Sequence, residues 1–109
     1  MKLLDAKEAK YCIGQCVFDP QFRFRGVIID VDPVYAGTAQ WYETNAPHRP
    51  PKNEPWYHIL VHNSDYRVYS AESNLEPDLS GEEVHHPETE YFFAEFKNGV
   101  YILRRGHDV

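Results

Sequence analysis

Positive charge, cysteine and long apolar runs are what this sequence is short of. Basic residues number 11 against 17 acidic ones, a net charge of −6. A general phosphate-binding surface is therefore excluded, because nonspecific nucleic-acid affinity comes from counterions displaced by Lys and Arg; a local basic patch is not. The 2 cysteines make no disulfide framework, and Cys12 and Cys16 lack CxxC spacing and a second pair. No apolar run approaches the roughly 20 residues of a membrane helix. The opening MKLLDAKEAKYCIG carries charges throughout, unlike a signal peptide, so a cytoplasmic protein with no membrane association is expected. The 6 glycines are scattered and form no phosphate-cradling loop. No nucleophile sits in an elbow-like turn with a triad around it. Enzymatic activity and a cofactor have no support.

Aromatic residues are what the chain has in plenty, at 15% of 109 positions. A chain of this length holds one domain, over residues 1–109, with one core. Some of its rings must then lie near the surface, where Tyr and Trp favour contact with partners.

Short β-branched and aromatic stretches predict strands at Ile13 to Phe18, Arg25 to Val31, Trp56 to His62 and Tyr66 to Ala71. Asn63 to Asp65 is turn chemistry, and AESNLEPD (Ala71 to Asp78) reads as a turn, with a single 3₁₀ turn ended by Pro77. Strict alternation puts Val27, Ile29 and Val31 on one face of their strand, with Ile28 and Asp30 on the other. The expected core is Ile13, Val17, Val27, Ile29, Val31, Ile59, Val61 and Val68. Strands without intervening helices predict an all-β fold, a small antiparallel barrel over about residues 12–87 with a C-terminal extension at 88–109. Asp32 to Pro55 is proline-rich and has no strand pattern, which predicts a long functional or mobile loop. In the extension, Phe92, Phe93 and Phe96 have helical spacing while Asn98-Gly99 suggests a hairpin; a short helix, a turn and a last strand are expected.

Two constellations raise the question of metal chemistry. Asp30 and Asp32, in RFRGVIIDVDPVY, leave a strand as the aspartates of magnesium phosphotransferases do, but that chemistry needs a parallel sheet wrapped by helices. Here Pro33 follows directly, and both side chains are expected on the solvent face at a strand exit. His58 and His62 share a strand face about 13 Å apart, too far for one zinc ion. No metal site is expected.

Binding surface is what remains. Arg23-Phe24-Arg25 interleaves cation and ring, and PHRPPK (Pro47 to Lys52) is an acid-free basic stretch between Trp41-Tyr42 and Trp56-Tyr57. Basic groups among rings suit phosphate contact and base stacking, which makes Arg23, Arg25, His48, Arg49 and Lys52 candidates for DNA. Trp41, Tyr42, Trp56 and Tyr57 are candidates for contact with a partner protein.

Several motifs, in order, resemble one family. IGQ-x-V (Ile13 to Val17), RGVIIDVDPVY (Arg25 to Tyr35), PWYHILV (Pro55 to Val61), AESNLEPD (Ala71 to Asp78) and His86-Pro87 are similar to the HspQ family, also called the YccV-like or hemimethylated-DNA-binding family. The resemblance implies a small, non-enzymatic SH3-like β-barrel, heat-inducible in bacteria. It also implies two roles: a specificity factor for a Lon-type ATP-dependent protease and its clients, and binding of hemimethylated DNA near the replication origin. Where familiar members follow IGQ-x-V with a basic residue and a histidine, this chain has Phe18-Asp19. That loss of charge favours protein contact, an adaptor role in the stress response, over DNA. Exposed rings and open sheet edges further predict a homo-oligomer.

Overall fold

In the computed structural model, which describes residues 8–46 and 48–105, one carboxylate sets the first hairpin. Strands β1 (Cys16–Asp19) and β2 (Phe24–Asp32) pair antiparallel. Between them Asp19, only 1% exposed, accepts hydrogen bonds from the backbone N–H groups of Gln21 (2.9 Å) and Phe22 (3.0 Å). Strand β3 (Trp56–Val61) pairs with β2, β4 (Arg67–Ala71) with β3, and β5 (Glu76–Pro77) with β1, giving the order β4-β3-β2-β1-β5.

Strands β4 and β5 are the two edges of this sheet, yet only a 3₁₀ turn, Glu72–Asn74, joins them. A flat sheet would hold these edges about 19 Å apart, at about 4.8 Å per strand spacing. A 3₁₀ turn rises only about 2 Å per residue, so the sheet has to curl. The fold is mostly β and antiparallel, as the strand pattern predicts. Strand β5 was not legible, because Pro77 reads as a stop; at a sheet edge its missing N–H is tolerated.

Both faces of the sheet are buried, and this undoes strict alternation. One face carries Val17, Ile28, Tyr57 and Ile59, with Tyr11 and Leu75. The other carries Cys16, Val27, Ile29 and Leu60 beneath Val84, Phe93 and Tyr101. Of the expected core, Val17, Val27, Ile29, Ile59 and Val61 are buried, while Ile13, Val31 and Val68 are half-buried at its margin. Ile28, Trp56, Tyr57 and Leu60 belong to the core as well.

A β-bulge corrects the facing of β2. The β2–β3 register shifts between Ile28 and Asp30, so Ile29 is an extra residue. Beyond it Val31 joins the cluster of Ile28 instead of that of Val27 and Ile29. Asp30 comes opposite His58, on the face that Leu60 shares.

The stretch from Asp32 to Pro55 is not structureless. It contains helix α1 (Ala39–Asn45), capped by Thr38, whose Oγ1 accepts from the Trp41 N–H at 3.0 Å. The helix lays Tyr42 and Ala46 on Trp56 and Ala71. Proline carbonyls fasten the rest: Tyr42 Oη donates to Pro50 O (2.7 Å) and Trp56 Nε1 to Pro51 O (3.0 Å). Pro47, the first residue of the basic stretch, lies outside the described residues, as do residues 1–7 and 106–109.

The C-terminal segment combines the two patterns seen in its sequence. Helix α2 (Thr89–Phe92) stops after one turn, and β6 (Phe93–Lys97) and β7 (Val100–Leu103) form a hairpin. Asn98 and Gly99, at φ 56° and 84°, make its turn. Phe93 leaves the helix because it is buried beside Tyr101, ring centroids 5.0 Å apart. The hairpin is part of the core rather than an appendage. The Tyr101 N–H donates to Gly14 O at 2.8 Å, and Tyr101 Oη accepts from the Val84 N–H at 2.8 Å.

Candidate binding groove and aromatic recess

Strand β4 is an edge, and along it runs a groove of about 510 Å³. One wall is β4 itself, from Arg67 to Ser70; the other is Phe22 and Phe24 at the β1–β2 turn, with Trp41 and Asn45 of α1. The volume is typical of ligand clefts, about 300–1,000 Å³. Among the described residues β4 pairs only with β3. Alternate N–H and C=O groups of an edge strand face outward, so this wall offers backbone hydrogen bonds. Phe22, 58% exposed, offers an apolar contact beside it.

Beyond the groove the aromatic side chains gather. Tyr35, Trp41, Tyr42, Trp56 and Tyr69 form one contiguous cluster, with Tyr35 and Trp56 centroids 4.8 Å apart and Trp41 and Tyr69 5.6 Å apart. Asp32, expected in solvent at a strand exit, instead accepts hydrogen bonds on Oδ2 from Tyr69 Oη (2.7 Å) and shares that oxygen with His58 Nε2 (3.0 Å). Burial, together with the bond to Asp32, pushes the Tyr69 phenol up from its ordinary range, so it remains a neutral donor. A carboxylate oxygen from each of Asp30 and Asp32 and a His58 ring nitrogen lie within 4.8 Å of one another. His62 belongs elsewhere: its Nδ1 accepts from the His85 N–H at 2.9 Å.

The four proposed partner-contact residues separate. Trp41 is half-buried and lines the groove. Tyr42, Trp56 and Tyr57 are 8%, 1% and 0% exposed, and act on the surface only through what they support. Tyr57 Oη donates to Glu72 Oε2 at 2.7 Å inside the core.

The proposed DNA-contact residues are spread over strand β2 and two loops, and most have partners. Arg25 is drawn into the fold by Asp78 at 2.8 Å and by the Glu82 and Glu83 carbonyls. Arg49 pairs with Glu43 at 2.5 Å. Lys52 Nζ sits 4.3 Å from the Tyr42 ring centroid. His48 contacts Gln21, which ties the basic loop to the turn that carries Arg23, and Arg23 is exposed. Asp19, at the position where a histidine follows the basic residue in familiar HspQ members, is the buried acceptor that shapes that turn.

Phe22, Asp32, His58 and Tyr69 are the site residues that sequence reasoning missed. In the sequence Asp32 reads as a strand exit, and His58 as a residue too far from His62 to share a metal ion with it. Only the register of three strands brings them to Tyr69.

The fold so described is a curled antiparallel sheet with an open edge and an aromatic groove running along it. The profile of the family described as hemimethylated DNA-binding protein YccV like matches residues 9–100, and the chain belongs to this YccV-like family. It is also similar to F-box only protein 21 of Homo sapiens, Mus musculus and Pongo abelii, at 29% identity over 98 residues in each case. These alignments cover 88% of this chain but no more than 16% of those proteins. No helix among the described residues is long and apolar enough to cross a membrane.

Proposed function

We propose that this YccV-like domain is a protein-docking module, which takes an extended segment of another protein along the free edge of β4. In the cell it would serve as a cytoplasmic, non-enzymatic specificity factor for ATP-dependent, Lon-type proteolysis under stress, the adaptor role that the family resemblance implies. One observation carries the docking reading. Of the candidate DNA contacts, Arg25 is drawn into the fold by Asp78, and Arg49 and Lys52 are engaged by Glu43 and the Tyr42 ring, whereas the edge of β4 lies open beside Phe22 and Trp41. Strand addition draws its affinity from backbone hydrogen bonds and its specificity from pockets for alternate side chains. Self-association through the same edge would be the competing use of the groove at high concentration.

The test is degradation of a client by a purified Lon-type protease, with and without the chain. Wild-type chain should change the degradation rate, and Trp41→Ala should remove most of that effect. No change with wild-type chain would end the adaptor reading.

A second reading has its own support, the family's description as hemimethylated DNA-binding. Contacts would come from Arg23, His48, Arg49 and Lys52. A titration of hemimethylated duplex should then show a log–log salt slope of magnitude about 3, near 0.9 for each of the three cations Arg23, Arg49 and Lys52. Steep, methylation-sensitive binding that Arg49→Ala and Lys52→Ala each weaken would reverse the order of the two readings.

A further inference from the structure

Next to the groove is a second recess, of about 310 Å³, lined by Asp32, Gly37, Thr38, Trp41, His58 and Tyr69. Its fixed charge is of one sign, for no Lys or Arg lines it. Oδ2 of Asp32 is held by Tyr69 and His58, while its Oδ1 takes no hydrogen bond among the described residues. Asp30 is exposed, and among the described residues only its Oδ1 is engaged, by the Val31 N–H at 2.9 Å. Asp32 lines the recess and Asp30 stands just outside its lining, with one oxygen of each and a His58 ring nitrogen within 4.8 Å of one another. The walls beside them are aromatic: Trp41 and Tyr69 stand edge to face at 68°, and His58 lies 4.5 Å from Tyr69. Carboxylates and ring faces attract the same kind of group, a cation. The same aromatic cluster already holds one of the chain's own, since Lys52 Nζ sits over Tyr42 at 4.3 Å and near Tyr35 at 5.8 Å.

We infer that this recess receives the guanidinium of an arginine side chain on the docked partner, held between the Trp41 ring and the open oxygens of Asp30 and Asp32. The inference rests on the docking reading for the source of the arginine. Planarity selects arginine over lysine, since a guanidinium stacks on a ring and forks two acceptors at once, whereas an ammonium is a strongly hydrated point charge. A divalent metal fits less well. It would make no use of the rings, and the His58 nitrogen it would need is already engaged with Asp32. The groove and the recess share Trp41, His58 and Tyr69, so an extended segment lying along β4 passes the mouth of the recess.

The experiment is an NMR titration of the full chain with N-acetyl-arginine amide, its neutral citrulline isostere, and manganese chloride alone. The arginine probe should shift the Trp41 indole and Tyr69 signals saturably at about millimolar concentration, the affinity a ligand of that size allows. The isostere should shift neither. Asp30→Asn, at an exposed side chain that leaves the sheet intact, should weaken the arginine probe about threefold, and Trp41→Ala about tenfold. Equal binding of citrulline, or an Asp30→Asn chain that binds unchanged, would overturn the inference. So would a silent arginine probe together with selective broadening around His58 by manganese, which would make this a metal site. The two proposals fail separately. If the arginine probe is silent while Trp41→Ala still abolishes the effect on proteolysis, the arginine recess falls and docking stands. If the probe binds as described while proteolysis is unaffected, the recess stands and the adaptor role falls.

Discussion

Arg25 forks onto a single oxygen of Asp78: its Nε and Nη2 donate to Oδ2 at 3.0 and 2.8 Å. The side chains are 18% and 9% exposed, so the pair is largely withdrawn from water. It ties β2 to the segment after β5, and Arg25 also donates to the Glu83 carbonyl. A residue that the sequence offers as a DNA contact is thus committed to holding the chain together.

Arg25→Ala should lower stability by about 2 kcal/mol, since it leaves a half-buried carboxylate and a carbonyl short of donors. Chemical denaturation checks this. Any loss of binding by this variant should follow its loss of folded protein.

Asp78 should also shape the acid limb of stability. Burial alone would raise its pKa, but hydrogen bonds from Arg25 and Ser80 outweigh burial and hold it below the ordinary aspartate value. A depressed folded-state pKa contributes stability above the unfolded value, and that contribution is lost as pH falls through the folded one. Wild-type protein should therefore lose stability below about pH 4, and Asp78→Asn should be less stable at neutral pH with a flatter acid limb. Melting temperature followed from pH 7 to pH 2 gives the comparison.

Two glycines should respond very differently to alanine. At Gly26 a Cβ would lie 2.4 Å from the Leu60 carbonyl oxygen and 2.5 Å from Ile59 Cγ2, so Gly26→Ala has to separate β2 from β3. At Gly99 the φ of +84° disfavours alanine, but the space around it is open. Thermal melts should show Gly26→Ala destabilised by about 3 kcal/mol or more, and Gly99→Ala by about 1 kcal/mol.

The two thiols should be separable by reaction rate. Cys16 is 4% exposed, and burial beside Asp78 pushes its thiol up to about 11, whereas Cys12 is exposed. Thiol titration of native protein at pH 8 should modify Cys12 quickly, with Cys16 reacting only after denaturation.

Strands β1 to β4 could be found in the sequence because β-branched residues and turn chemistry mark them. Asn98-Gly99 marked a turn, but the helical spacing of Phe92, Phe93 and Phe96 hid strand β6 before it. Facing was harder. Alternation identifies a face only when the opposite one meets water, and here α1 covers one end of the second face while β6 and β7 cover the other. Adjacent Trp56 and Tyr57 are both buried for that reason. The bulge at Ile29 has no local signature in VIID, so the side to which Asp30 and Asp32 point could not be read. Helix α1 is short and set among prolines, with Thr38 as its one legible sign. Of the candidate site, Trp41 was visible as an aromatic in a loop. The Asp32–His58–Tyr69 grouping depends on register across three strands.

The hydrogen bond from Tyr101 to Gly14 has a consequence for how the chain comes off the ribosome. The backbone just ahead of β1 waits for a partner far downstream in the chain, and an isolated bridge from Gln15 to Val100 repeats the demand. Contacts so distant in sequence fold slowly and leave strand edges uncovered meanwhile. During synthesis the first strands would stand without β7 until residues 100–103 clear the exit tunnel. A stalled ribosome or a truncated message would therefore release an incomplete sheet rather than a smaller working domain.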